Sequence, residues 1–289
     1  AQCLVGSEMC IRDSNVLLRR FTLSVGVLAN YNSALNEGIH FYPGIDASYR
    51  IGDNFRLYGS WNRALRMPTF TDLYYEGKTN KGNPDLKPEE SEAFEVGLKY
   101  NTYFLRAHIA GFYRKGKNMI DWVKEKPEDI WESRNLTKVD NLGFETNLSL
   151  LPRELGNKRF FIRKIELGYA FIHQDKDSEG YISNYALDYL KHKFTAQLSH
   201  SIWKGFSATW YVRWQDRAGS YTKYENLKPA YEEPYAPYCL VDMKVNWEYQ
   251  RLNLYAELNN LLNSTYYDLG NIPQPGIWFK AGLRYSFKY

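Results

Sequence analysis

From Phe21 to the C-terminus, apolar and polar residues alternate with a period of two. In 21–31 one face reads Phe21, Leu23, Val25, Val27, Ala29 and Tyr31, and the other reads Thr22, Ser24, Gly26, Leu28 and Asn30. Phe206, Ala208, Trp210, Val212 and Trp214 oppose Ser207, Thr209, Tyr211, Arg213 and Gln215. The clearest stretch is the last, where Ile277, Phe279, Ala281, Leu283, Tyr285, Phe287 and Tyr289 oppose Trp278, Lys280, Gly282, Arg284, Ser286 and Lys288. Such alternation predicts strands with one apolar and one polar face. The pattern places twelve strands, at 21–32, 39–51, 55–66, 92–100, 103–123, 131–150, 160–173, 191–203, 206–217, 236–249, 252–266 and 277–289. No stretch carries a convincing helical period.

The connections alternate in length. Tight ones fall at 52–54, 101–102, 204–205 and 250–251, with 151–159 a longer member of that series. Long ones fall at 67–91, 124–130, 174–190 and 218–235. A soluble β-sandwich shares the two-faced strands but not this rhythm. A transmembrane barrel has it, because its two rims face different compartments. Lipid offers no partner for a backbone amide, so such a sheet must close on itself. Aromatics near strand ends, among them Tyr31, Trp61, Tyr100, Trp203, Trp214, Trp247 and Tyr249, suit interfacial girdles. The predicted fold class is therefore all-β, a transmembrane antiparallel up-and-down β-barrel. A C-terminus in the periplasm makes the last strand run downward, and the long loops then fall outside the cell.

Composition agrees. Mean hydropathy is −0.55, and no apolar run reaches the roughly 18 residues of a membrane helix. Aromatic residues make up 17% of the 289, which an alternating chain tolerates at low hydropathy. A net charge of +4, dispersed along the chain, argues against nucleic acid.

Residues 1–14 stand apart. Leu4–Ser14, eleven residues, resemble a translated transposase adapter of the kind used in sequencing libraries. We therefore expect 1–14 to be an assembly artefact, left out of the fold reading, and 15–289 to be one barrel unit. Of three cysteines only Cys239 then remains, so no disulfide framework or cysteine metal site is expected.

Two segments resemble the C-terminal half of TonB-dependent outer-membrane receptors. In 64–100 the matching positions are Arg66, Pro68, Phe70, Asp72, Leu73, Tyr74, Gly82, Asn83, Pro84, Leu86, Lys87, Pro88, Glu89 and Ser91. In 258–289 they are Asn260, Leu261, Leu262, Tyr266, Pro273, Pro275, Gly276, Gly282, Tyr285 and Phe287, with Lys288 and Tyr289 trailing the family's terminal aromatic. The prolines restrict the backbone and stop these loops from pairing as strand, and Gly276 suits a turn into the last strand. The resemblance implies a barrel of about 22 strands, of which these twelve are the C-terminal part. It also implies a plug domain absent here, active uptake of a ferric siderophore, vitamin B12 or haem, and energy coupling to a TonB protein through the missing N-terminal part. Outer-membrane lipid, a small-molecule ligand and the barrel-insertion machinery at the last strand are the other implied partners. By the same reading the fragment alone is inactive. The alternative is a passive porin-like channel, which would have no plug and need no energy.

No catalytic constellation competes with transport. His40, His108, His173, His192 and His200 show no metal spacing, and no nucleophile elbow, P-loop or dinucleotide motif appears. The chain reads as a non-enzyme without cofactor. Polar-face Glu95, Glu145, Glu166 and Glu257 are expected to pair with cations such as Lys99, Arg213 and Arg284. Asp175, Asp177 and Glu179, with Gly180, imitate the start of a calcium loop, but its twelfth position is Ala186 instead of glutamate. Among the loop tyrosines, Tyr74, Tyr75, Tyr221 and Tyr224 are candidate ligand contacts, since aromatics supply binding area at low entropy cost.

Overall fold

The computed structural model describes residues 7–18, 20–31, 39–126, 128–156, 159–177, 180–183, 189–225, 228–269 and 272–287. Among them thirteen long strands follow one another in a single hydrogen-bonded order. They are β1 (Ser7–Leu18), β2 (Phe21–Tyr31), β3 (Ile39–Ile51), β4 (Phe55–Arg66), β5 (Glu89–Asn101), β6 (Leu105–Lys124) and β7 (Trp131–Leu150). Then come β8 (Ile162–Asp177), β9 (Tyr189–Trp203), β10 (Phe206–Ala218), β11 (Tyr238–Tyr249), β12 (Leu252–Asn259) and β13 (Trp278–Tyr285). The order is an antiparallel, open path with β1 and β13 at its ends. Among the described residues no helix is long and apolar enough to cross a membrane.

The residues group into two compact units. One holds 1–99, 110–144 and 173–187, and the other holds 100–109, 145–172 and 188–289. Within each, register joins like faces. In the first, Val25 lies opposite Ile45, Leu23 opposite Ala47, Ile45 opposite Trp61 and Tyr49 opposite Leu57. In the second, Phe194 lies opposite Trp214 and Ala196 opposite Val212, which in turn meets Val241. Ala208, Val245, Ala256 and Ala281 form a second such row. Apolar residues thus share one face, and many are open: Phe41 is 61% exposed and Leu283 71%. A surface of that extent needs an apolar surrounding. From Phe206 to Trp214, both on this face, the strand spans nine residues, close to the roughly 9–11 that a tilted strand needs to cross a bilayer.

Three local features differ from the sequence expectation, and one segment that it set aside joins the sheet. Residues 7–14, which the sequence sets apart, lie in β1 and pair with β2 from Ser7–Tyr31 to Ser14–Ser24. A sheet edge accepts any extended backbone, because the ladder is made by main-chain groups. The strand expected over 252–266 stops at Asn259. Asn260 and Asn263 adopt left-handed φ values of 51° and 47°, a conformation asparagine tolerates and a strand does not. The connection 67–91 holds a short helix, α1 (Phe70–Tyr74), too brief to show a period. Its Thr69-x-x-Asp72 start is a capping signal the period reading passes over. The connection 218–235 is itself a hairpin, Ser220–Glu225 paired with Lys228–Pro234.

Candidate functional site

The first motif forms a clamp at the long-connection end of the first unit. Arg66 ends β4 and Glu89 begins β5. Arg66 Nη2 donates to Glu89 Oε1 at 2.7 Å, and its Nε donates to Oε2. The Ile120 amide also donates to Oε1, at 2.7 Å. Glu89 is buried, so these three donors satisfy a carboxylate that burial alone would penalise. Thr69 caps α1: its hydroxyl accepts from the Asp72 amide, and the Asp72 carboxylate accepts from the Thr69 amide at 3.0 Å. The Asn83 amide then donates to Asp72 O and the Gly82 amide to Tyr75 O. A Cβ on Gly82 would stand 2.8 Å from the Leu73 carbonyl carbon, so the close return of the chain over α1 excludes a side chain there.

Pro84 and Pro88 flank the segment that docks on β6 and β7. Leu86 is buried, and the Lys87 amide donates to Asn135 Oδ1 at 2.9 Å. Asn135 Nδ2 donates back to Lys87 O and also to Asn118 O. Asn118 adopts a left-handed φ of 53°. The structure therefore brings Arg66, Gly82, Asn83, Leu86, Lys87 and Glu89 together, and adds Asn118 and Asn135. Nothing in the local pattern marks those two, because their partners lie on a distant connection. Tyr74 and Tyr75 remain exposed, Tyr75 edge-on to Trp122.

The second motif is a latch in the other unit. Asn260 is buried, and its amide donates to Asp242 Oδ1 at 2.7 Å. Its Nδ2 donates to Ser264 O and Pro275 O, and its Oδ1 accepts from the Ser264 amide. Asn263 Oδ1 accepts from the Ile277 amide, just after Gly276. The connection after β12 is thereby tied to Asp242, near the start of β11. Gly282 lies beneath the Tyr255 ring, where a Cβ would approach the hydroxyl to 2.5 Å. Tyr285 and Phe287 are exposed and contact each other edge-on.

Above β10 the hairpin gathers aromatic and charged groups. Tyr221 packs on Tyr235 and stacks on Tyr267, with ring centres 5.1 and 5.5 Å apart. Lys223 Nζ lies 2.6 Å from Glu233 Oε2 and over the Tyr231 ring. The Lys223 ammonium holds the Glu233 carboxyl below its usual range, and Glu233 in turn raises Lys223. Burial, then the Glu233 charge, raises the Tyr221 phenol. Arg217 covers Tyr235, and Tyr238 donates to Asp268 at 2.6 Å. The Tyr224 side chain lies outside the described residues.

On the polar face the carboxylates are engaged, but by other groups than the sequence suggests. Glu257 meets Lys244 at 2.7 Å and Lys280 at 3.1 Å. Glu166 meets Lys164, Glu145 meets His108, and Glu95 accepts from the Tyr58 hydroxyl, over whose ring Lys99 sits. Register decides these neighbours, and it sets Asn253, not Glu257, opposite Arg284. His192 contacts the Tyr169 hydroxyl, and His200 accepts from Trp210. Asp175 and Asp177 lie at the end of β8. Glu179 and the Asp177 side chain lie outside the described residues. Among the described residues no cluster of three or more candidate ligands for a metal occurs.

A family model described as TonB dependent receptor-like, beta-barrel matches residues 17–261. The vitamin B12 transporter BtuB of Vibrio vulnificus (strain YJ016) is 27% identical over 178 residues, which cover 49% of this chain and 28% of that protein. The ferripyoverdine receptor of Pseudomonas aeruginosa is 24% identical over 252 residues, 82% of this chain and 28% of that protein. A crystal structure of a ferric enterobactin receptor mutant from Pseudomonas aeruginosa, in complex with enterobactin, superposes with a TM-score of 0.75. It covers 97% of this chain and 45% of that one at 20% identity, and shows the fold alone. The chain spans less than a third of the length of these curated relatives.

Proposed function

Because this chain belongs to the family of TonB-dependent receptor β-barrels, we propose that it forms the C-terminal part of the barrel wall of an outer-membrane receptor. That receptor imports a scarce nutrient, a ferric siderophore or vitamin B12 being the class favoured by the relatives' names. The observation that carries the reading is the two-faced sheet, with an open apolar face and a polar face of paired charges. Lipid covers the first face, and the second lines the path of the ligand.

In this reading the tight turns face the periplasm and the long connections face outward. The Arg66–Glu89 clamp and the Asn260 latch hold the outward connections in shape. Tyr74, Tyr75, Tyr221 and Tyr224 offer contacts to the ligand. A plug outside this sequence meets the TonB protein, and the terminal aromatics on β13 meet the insertion machinery. Residues 1–14 are a sequencing remnant, and a long read across the intact locus tests that separately.

The experiment is uptake of radiolabelled ferric siderophores and cobalamin by cells carrying the intact gene, with and without a functional TonB protein. Uptake that requires TonB is expected. Uptake at equal rates in both strains would overturn active transport and favour a passive channel.

A further inference from the structure

In the first unit, strand β6 outgrows its neighbour β5. β5 starts at Glu89, whose carboxylate takes the Ile120 amide, while β6 runs on to Lys124 and turns back into β7 at Trp131. Strand ends that project in this way offer bare edges, and two connections cover them. Each passes the nearer strand of the β6–β7 hairpin and pairs with the farther one. Asn80–Lys81, from the connection between β4 and β5, pairs in parallel with Trp131 and Glu132 of β7. Ile182–Ser183, from the connection between β8 and β9, pairs with Lys124 and Val123 of β6. All of these residues belong to the same compact unit.

Three consecutive residues of β6 meet both connections. The Asp121 carboxylate accepts from the Ser183 hydroxyl. The Trp122 ring lies edge-on to Tyr75, with ring centres 6.4 Å apart. Val123 is the ladder partner of Ser183. The Trp122 amide donates to Asp121 Oδ1 at 2.7 Å, which joins the first two contacts. On β7, Arg134 Nη1 donates to the Tyr181 hydroxyl at 2.5 Å, and its guanidinium lies over the same ring. The next residue, Asn135, exchanges two hydrogen bonds with the Lys87 backbone. Val123, Asp121 and Ser133 are the largest fully buried side chains among the described residues. Packing is thus tightest where the two connections cross. A connection that lifts away takes a hydrogen-bond partner from a buried group.

We propose that Asp121, Trp122 and Val123 form a relay between the two connections, so that 67–91 and the strap at 181–183 open and close as one unit. Tyr75 stands at one end of the relay and Ser183 at the other. A contact that displaces Tyr75 acts on Trp122, and through Asp121 and Val123 on the strap. The physical reason is shared burial, since a packed cluster switches between discrete arrangements instead of deforming by degrees. Coupling of this kind is reciprocal, so loosening the strap loosens the segment around Tyr75. The relay rests on packing within one unit and holds whatever the protein carries. Only the part of Tyr75 as a ligand contact rests on the functional reading above.

The test is hydrogen exchange on the intact gene product in micelles, without ligand, with the amides of 72–83 and of 180–183 read separately by mass spectrometry. Ser183→Ala takes the hydroxyl from Asp121, and Tyr75→Leu takes the ring from Trp122. Each is expected to speed exchange in both segments by a common factor of roughly three to ten, the scale of one hydrogen bond or one aromatic pair. An effect confined to the segment that carries the substitution overturns the relay. Lys223→Met, in the second unit, is expected to leave both segments at wild-type rates. Acceleration there as large as in the relay variants reports general loosening and overturns the proposal as well. Should Ser183→Ala fail to fold, Tyr181→Phe removes only the hydroxyl that Arg134 holds. It is expected to speed both segments together, and acceleration of 180–183 alone overturns the coupling.

Discussion

Arg66 holds both carboxylate oxygens of Glu89, while the Ile120 amide donates to one of the same oxygens. One side chain thus ties the end of β4, the start of β5 and the upper part of β6. Arg66 is half exposed and Glu89 is buried, so the carboxylate is the costly group to lose. Glu89→Ala strands the Ile120 amide and one guanidinium. We expect it to lower the opening free energy of 67–91 by about 1–3 kcal/mol, read by hydrogen exchange. Arg66→Lys keeps the charge but not the fork, and should fall between the two. Unchanged protection in Glu89→Ala would remove the clamp from the account.

Asn260 offers a sharper comparison. Its Nδ2 faces two carbonyl oxygens, of Ser264 and Pro275. Asn260→Asp substitutes an acceptor for that donor and sets a carboxylate oxygen against both. We expect Asn260→Asp to be at least as destabilising as Asn260→Ala, each costing about 1–3 kcal/mol or more. Guanidinium unfolding of the intact protein in micelles measures this. An aspartate variant as stable as wild type would contradict the assigned orientation of the amide.

The hairpin above β10 carries a pH dependence. Lys223 depresses the carboxyl pKa of Glu233 from its ordinary 4.5, and Glu233 raises that of Lys223 above 10.5. A depressed carboxyl stabilises above its unfolded pKa and loses that contribution as pH falls through the folded one. A raised ammonium contributes below its unfolded pKa and loses the contribution as pH rises through the folded one. Hairpin protection, followed by hydrogen exchange over 220–225, is expected to be level from about pH 5 to 10 and to fall at either side. Lys223→Met should abolish the acid limb. An acid limb that survives in that variant would assign it to another group.

The two faces make opposite demands on one strand. Val212 lies on the apolar face and Thr209 on the polar face of β10, both between the aromatic residues Phe206 and Trp214. Val212→Arg places a cation in hydrocarbon and is expected to cost up to about 2–4 kcal/mol, the mid-bilayer value. Thr209→Arg faces the polar side, beside Ser199, and is expected to change stability by less than about 1 kcal/mol. Equal tolerance of both would exchange the faces.

Much of the fold is legible in the chain because a period of two is a local property. The runs 39–51, 55–66 and 131–150 coincide with β3, β4 and β7. Strand ends are less legible where side chains capture the backbone. Asn260 turns the chain after β12, and the Thr69–Asp72 cap starts α1 inside a loop. The candidate site was legible only as two motifs. Arg66 and Glu89 stand 23 residues apart, but Lys87 and Asn135 stand 48 apart, and no local rule links the latter pair.

By itself the sequence determined the strands, their apolar and polar faces and the rhythm of tight and long connections, since each follows from steric and hydrophobic rules that act over a few residues. The tertiary structure alone decided which polar residues meet. Glu257 reaches Lys244 and Lys280 because β11, β12 and β13 settle in a register that aligns their apolar rows. A slip of one residue would turn every side chain to the other face. That choice is made by packing across strands.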